Sequence, residues 1–177
     1  GDWGGKYASD VCGSLVAKCL GGRPKTVKLA QSAFLLFVEL DAADAVVEAL
    51  TKGYSHKLPK VVLPSVETTT ACIRSFGTSV VQPKPIIQAL TPLYEHKDAK
   101  VRGAVKELTK ELSRWLGPNA LKSLILNKMR DSMKADVEKM INDAPEEKAV
   151  PEKRLRKDSH LPAPEAAESE VAEPQKE

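Results

Sequence analysis

The sequence predicts an all-α protein, and three observations carry that prediction. Ala, Leu, Val, Lys and Glu are abundant, while aromatic residues make up only 5% of the 177 positions; that balance favours helix over sheet. Apolar residues recur at spacings of three and four from Tyr7 to Ile141, and no segment alternates with period two. Gly and Pro divide this pattern into pieces of helical length.

Each element follows in order. Tyr7, Val11, Leu15 and Cys19 define the face of a first helix that Gly21-Gly22 ends. Pro24 opens the second, where a first-turn proline is tolerated, with Val27, Ala30, Phe34, Phe37 and Val38 on one stripe. Asp41 is expected to cap a third, which carries Val46, Val47 and Leu50 and stops at Gly53. A fourth carries Val62, Val66, Ile73 and Phe76, ends at Gly77, and has Pro64 in its first turns. Ile86, Ile87, Leu90 and Leu93 mark a short fifth helix after the Pro83/Pro85 loop. Asp98 caps a sixth with Val101, Val105, Leu108, Leu112, Trp115 and Leu116, and Gly117-Pro118 stops it; Trp115 is expected to face the following repeat. Leu121, Leu124 and Ile125, then Met129, Met133, Val137 and Ile141, supply a seventh and an eighth.

The net charge of +3 hides an asymmetry. Residues 144–177 hold six Lys/Arg and nine Asp/Glu, a charge of −3, which leaves +6 on residues 1–143. That last segment also holds five of the 12 prolines, and no aromatic follows Trp115. It has too little apolar surface to offset its ordering entropy, so 144–177 is expected to be a disordered tail, 6–143 the domain and 1–5 a flexible leader. The sequence has no run of about 18 apolar residues to span a membrane, and Gly1-Asp2-Trp3-Gly4-Gly5-Lys6 has no apolar signal core. The odd cysteine count (Cys12, Cys19, Cys72) reads as buried thiols in a reducing compartment. A soluble, cytosolic, monomeric domain is expected.

Three helix starts superimpose: Arg23-Pro24-Lys25-Thr26-Val27-Lys28, Lys57-Leu58-Pro59-Lys60-Val61-Val62 and Lys97-Asp98-Ala99-Lys100-Val101-Arg102. Their valines stand 34 and 40 residues apart, the period of stacked helix pairs of the HEAT or armadillo kind. Equivalent loops of a solenoid line up along one edge. The alignment therefore predicts a basic ridge from Arg23, Lys57 and Lys97, then Thr26, Lys60 and Lys100, then Lys28 and Arg102. A cation in the first helical turn opposes the macrodipole, so its recurrence in three loops points to a use beyond solvation.

Catalysis and metal binding find no support. His56 and His96 occupy equivalent corners without Cys, Asp or Glu at ligand spacing. Cys12 and Cys19, seven apart, are core positions, and Gly21-Gly22 lacks the spacing of a phosphate loop. No catalytic residue, metal ligand or cofactor is assigned. The run Lys153-Arg154-Leu155-Arg156-Lys157 reads either as a contact for an acidic surface or import receptor, or as a solvated linker. The residues alone leave open an acidic protein partner or a nucleic acid, although the ridge lacks base-stacking aromatics.

Several stretches, in order, resemble a TOG domain. They are Val81-Gln82-Pro83-Lys84-Pro85-Ile86-Ile87, Leu93-Tyr94-Glu95-His96-Lys97-Asp98-Ala99-Lys100-Val101-Arg102 and Glu111-Leu112-Ser113-Arg114-Trp115-Leu116-Gly117. Residues 30–40 (AQSAFLLFVEL) and 128–134 (KMRDSMK) are similar to the plant microtubule-organising relatives of ch-TOG, their first TOG domain in particular. The resemblance covers about residues 6–143, with no counterpart of the family's first two repeats or their tryptophan loop. It implies a HEAT-repeat paddle that binds αβ-tubulin through its intra-repeat loops, without enzymatic activity, as part of a microtubule polymerase or stabiliser at plus ends and spindles. By position it implies Arg23, Lys25 and Thr26 in one loop, Lys57 and Lys60 in the next, and Lys97, Lys100 and Arg102 in a third. Arg102 matches the family's fifth-repeat arginine and ranks first. No nucleic acid, membrane or cofactor is implied.

Overall fold

The computed structural model describes residues 3–145, 147 and 149–158. Among the described residues, eight α-helices run in chain order: α1 (Trp3–Lys18), α2 (Pro24–Glu39), α3 (Ala43–Tyr54), α4 (Pro59–Phe76), α5 (Pro83–Leu90), α6 (Ala99–Leu116), α7 (Pro118–Ile125) and α8 (Asp131–Asn142). Short 3₁₀ segments extend α5 (Thr91–Glu95) and α7 (Leu126–Lys128). The odd-numbered helices pack in succession as one layer and the even-numbered helices as the other. The result is four helix pairs, each resting on its neighbours. Phe34, Leu50, Ile73, Leu90, Leu112 and Ile141 are fully buried between the layers.

The repeat is closer than the three helix starts suggested. Helices α4 and α6 are both 18 residues long and begin 40 positions apart. Both end on a glycine with positive φ, Gly77 (79°) and Gly117 (84°), also 40 apart. Positive φ strains any side-chain-bearing residue there. Gly77 has a second constraint: a Cβ would lie 2.6 Å from the Trp115 ring. Trp115 therefore packs back over the preceding pair, a contact the sequence did not predict.

Other local expectations need correction. The buried stripe of α1 is Ala8, Cys12 and Val16, continued by Leu20 just past its end, one position on from the expected face, and Tyr7 and Val11 are exposed. Asp41 caps nothing. It has φ 69° and sits just past the end of α2, where the Asp41 N–H donates to the Val38 carbonyl (3.0 Å) and the Ala42 N–H to the Phe37 carbonyl (2.9 Å). This is a Schellman ending with aspartate in the left-handed position usually held by glycine. Gly53 does not stop α3; it is buried inside it, where an added Cβ would collide with Ser65 of α4. Pro64 is the sixth residue of α4, so its ring lies in the helix interior beyond the first turn.

Both domain boundaries also shift. α1 begins at Trp3, inside the expected leader. Residues 149–158, expected within a disordered tail, return to the stack: Leu155 is buried in the core and the Lys153 N–H donates to the Ser75 carbonyl at 2.7 Å. Residues 159–177 lie outside the described residues.

Candidate functional site

The connections within pairs bring the three predicted helix starts to one edge. Pro24 and Pro59 occupy the first turns of α2 and α4, and neither helix has a side-chain N-cap. The loops are adjacent: a Cβ on Gly21 would meet Val61 and the Lys60 side chain. Lys100 then lines, with Leu63 and Glu67, a groove of about 560 Å³ between α4 and α6. Desolvation raises the Glu67 carboxyl above its usual range.

Arg23, Lys25, Thr26, Lys57, Lys60, Lys97, Lys100 and Arg102 are all exposed. None of the seven cations has an ion-pair partner among the described residues. Some cations elsewhere are paired, as in Lys52–Glu48, Lys122–Glu138 and Arg130–Glu95. Lys18, Lys28, Lys84 and Lys139 are, like the ridge, exposed without an ion-pair partner among the described residues. The first turns of α2, α4 and α6 carry no acidic residue. At α2 and α4 the positive helix end and the side-chain cations therefore add, at a cost of about 0.3–1 kcal/mol per misplaced charge at low salt. At α6 the Asp98 N-cap carboxylate offsets part of that charge.

Two histidines fix the loops. His56 Nδ1 accepts the Leu58 N–H and His96 Nδ1 accepts the Asp98 N–H, both at 3.1 Å and again 40 residues apart. This arrangement places the ring proton on Nε2. The Asp98 carboxylate, as expected, caps α6 by accepting the Lys100 N–H (2.8 Å) and the Val101 N–H (3.4 Å). Arg102 Nη1 donates to the His96 and Lys97 carbonyls at 2.7 and 3.1 Å. It therefore braces its own loop while staying exposed.

Beneath the loops lie two buried pairs, Tyr54 with Thr69 (2.8 Å) and Tyr94 with Thr109 (2.6 Å). Each ties the helix entering a loop to the helix leaving it. Burial pushes the Tyr94 hydroxyl up to about 12, and raises Tyr54 too. Both therefore stay neutral. The sequence reading missed these pairs, although the matching 40-residue offset of both Tyr and Thr was available to it.

Burial raises the Cys12 and Cys72 thiols to about 11 and about 12, which holds them as unreactive thiols. No group of three metal-ligating side chains occurs among the described residues. No helix among them is long and apolar enough to cross a membrane. The edge offers solvent-facing positive charge on rigid supports, which is suited to recognition.

A two-layer stack of helix pairs with its intra-pair loops along one edge defines an α-solenoid of the HEAT class. The family model described as XMAP215/Dis1/CLASP, TOG domain, matches residues 4–141, and the chain belongs to that family. Protein MOR1 of Oryza sativa subsp. japonica is 46% identical over 133 residues, 75% of this chain and 7% of that protein. Protein MOR1 of Arabidopsis thaliana is 42% identical over 134 residues, again 7% of its length. Protein mini spindles of Drosophila melanogaster is 40% identical over 114 residues, 64% of this chain and 6% of that protein. The chain thus spans less than a tenth of these relatives. A solved structure of microtubule polymerases with TOG domain arrays, described in terms of tubulin recruitment and assembly, superimposes with a TM-score of 0.71. It covers 86% of this chain and 32% of its own at 24% identity, a match of fold.

Proposed function

We propose that this chain is a non-enzymatic tubulin-binding module of a microtubule polymerase or stabiliser. It contacts αβ-tubulin through Arg23, Lys25, Thr26, Lys57, Lys60, Lys97, Lys100 and Arg102. The observation that carries this reading is the presentation of unpaired cations by three equivalent loops on one edge. Such charge steers association with an acidic partner and orients it. Family membership, and the tubulin recruitment described for the microtubule polymerases whose structure superimposes on this chain, support tubulin as that partner. The parent protein would work on cytoplasmic and spindle microtubules, gaining avidity from several modules in one chain. A single module binds modestly and does not polymerise tubulin by itself.

Co-migration with unpolymerised αβ-tubulin on size exclusion, beside a duplex-DNA control, tests the reading. Tubulin should shift and DNA should not. A shift with DNA alone would contradict it, and binding to acidic proteins in general would favour a HEAT scaffold of broader specificity.

A further inference from the structure

The basic run Lys153–Lys157 takes no part in the ridge, and the structure gives it another place. The chain leaves α8 and lines, through Ala144, Pro145 and Glu147, a cavity of about 510 Å³ beside the α6–α7 turn. It next reaches the C-terminus of α4, where the Lys153 N–H donates to the Ser75 carbonyl at 2.7 Å. Leu155 then inserts into the core, only 7% exposed. Arg156 Nε meets the Glu39 carboxylate at 2.9 Å, and Lys157 Nζ meets the Asp41 carboxylate at 2.8 Å. A 3₁₀ turn, with the Asp158 N–H donating to the Leu155 carbonyl at 3.0 Å, closes the segment.

We propose that the edge formed by the C-terminal ends of α2 and α4 is a docking surface for a basic–leucine–basic peptide, and that residues 153–157 occupy it in cis. Three independent features make the fit: a backbone carbonyl at Ser75, an apolar socket for Leu155, and two carboxylates spaced for Arg156 and Lys157. Asp41 is held out at the corner by its positive-φ ending of α2, which explains an otherwise strained aspartate there. Alternating cation, leucine and cation suit a strip with charge on its rim and a hydrophobic centre.

The contact changes the mechanics of the stack. Units of a solenoid touch only their neighbours, so its ends fray independently. Here the segment following the last pair is anchored on the first, across more than 110 residues of sequence. The strap joins the two ends of the array and occupies cations that an acidic partner would otherwise find in the run.

Amide hydrogen exchange on the full chain at low salt tests the proposal. The Lys153 amide should exchange at least about tenfold more slowly than in a free peptide of residues 149–158. The charge reversal Arg156→Glu with Lys157→Glu should abolish that protection, with helicity unchanged. Adding Glu39→Lys and Asp41→Lys should restore it. Free-peptide exchange in the wild type would overturn the docking, as would a four-site variant no better protected than the two-site one. Protection that rises with protein concentration would overturn the cis assignment in favour of exchange between copies. Leu155→Asp should remove protection and, if the strap joins the ends, make α1 and α2 exchange before the remaining helices. Uniform exchange across all pairs in that variant would contradict the mechanical role.

Discussion

Along the edge of helix starts, Arg23, Lys25, Lys57, Lys60, Lys97, Lys100 and Arg102 face solvent without carboxylate partners among the described residues, whereas on the opposite edge Arg156 and Lys157 are held by Glu39 and Asp41. The supports differ as well. Under the ridge lie neutral Tyr–Thr pairs and histidine-pinned loops. The other edge is turned by glycines at positive φ and crossed by a strap. The same repeat therefore builds a surface whose charge is available and a surface whose charge is used internally. Charge count alone does not distinguish the two; pairing does.

The largest effect should come from the glycine turns of the opposite edge. Gly77→Ala meets both a positive φ and the Trp115 ring, whereas Gly117→Ala meets only the positive φ, with open space around it. We expect about 3 kcal/mol or more for Gly77→Ala and about 1–2 kcal/mol for Gly117→Ala. Urea midpoints measure both. Equal losses would show that Trp115 does not depend on that glycine.

Alkaline pH should act next, on Tyr94 beneath the ridge and on Cys72 in the core near the far end of α4. The folded protein holds Tyr94 at about 12 and Cys72 at about 12, raised by burial above unfolded values of about 10 and 8.5. Both groups are neutral when protonated, so the folded state keeps its protons longer than the unfolded chain does. Their stabilisation is complete below about pH 8.5 and is lost as pH rises towards 12. Thermal unfolding should lose about 1 kcal/mol or more by pH 9.5 and further stability beyond it. A melting temperature independent of pH from 7 to 10.5 would contradict the buried, neutral support.

Single hydroxyl deletions come last. Tyr94→Phe and Tyr54→Phe should each cost about 1 kcal/mol, because Thr109 and Thr69 keep their bonds to the Val105 and Ser65 carbonyls. Exchange of the His96 or His56 loop amides should rise with the matching substitution. No change in the loops would mean the pairs serve the core alone.

The helices were legible because apolar spacing and Gly/Pro punctuation report directly on burial and chain reversal. The ridge was legible because its cations lie in repeat register. Tertiary choice hid the rest. Tyr7, Val11, Leu15 and Cys19 formed as regular a stripe as Ala8, Cys12, Val16 and Leu20, and only packing on α3 selected the second. Asp41 stands before an acidic, alanine-rich helix start and reads as a cap, yet the preceding helix claims it through the Schellman ending. The segment around Leu155 was misread because its composition is that of a linker. One leucine, two carboxylates and one carbonyl, scattered over more than 110 residues, anchor it.

On the proposed function, ridge position and not total charge governs partner binding. This is tested most directly by titrating αβ-tubulin against two double variants, Lys100→Ala with Arg102→Ala, and Lys106→Ala with Lys110→Ala. Both remove two cations from α6, but Lys110 is already paired with Glu107 and lies away from the loop. The loop pair should lose about tenfold or more in affinity, near 1.4 kcal/mol per decade. The control pair should lose less than about threefold. Equal losses at unchanged helicity would contradict the account and reduce the ridge to diffuse charge.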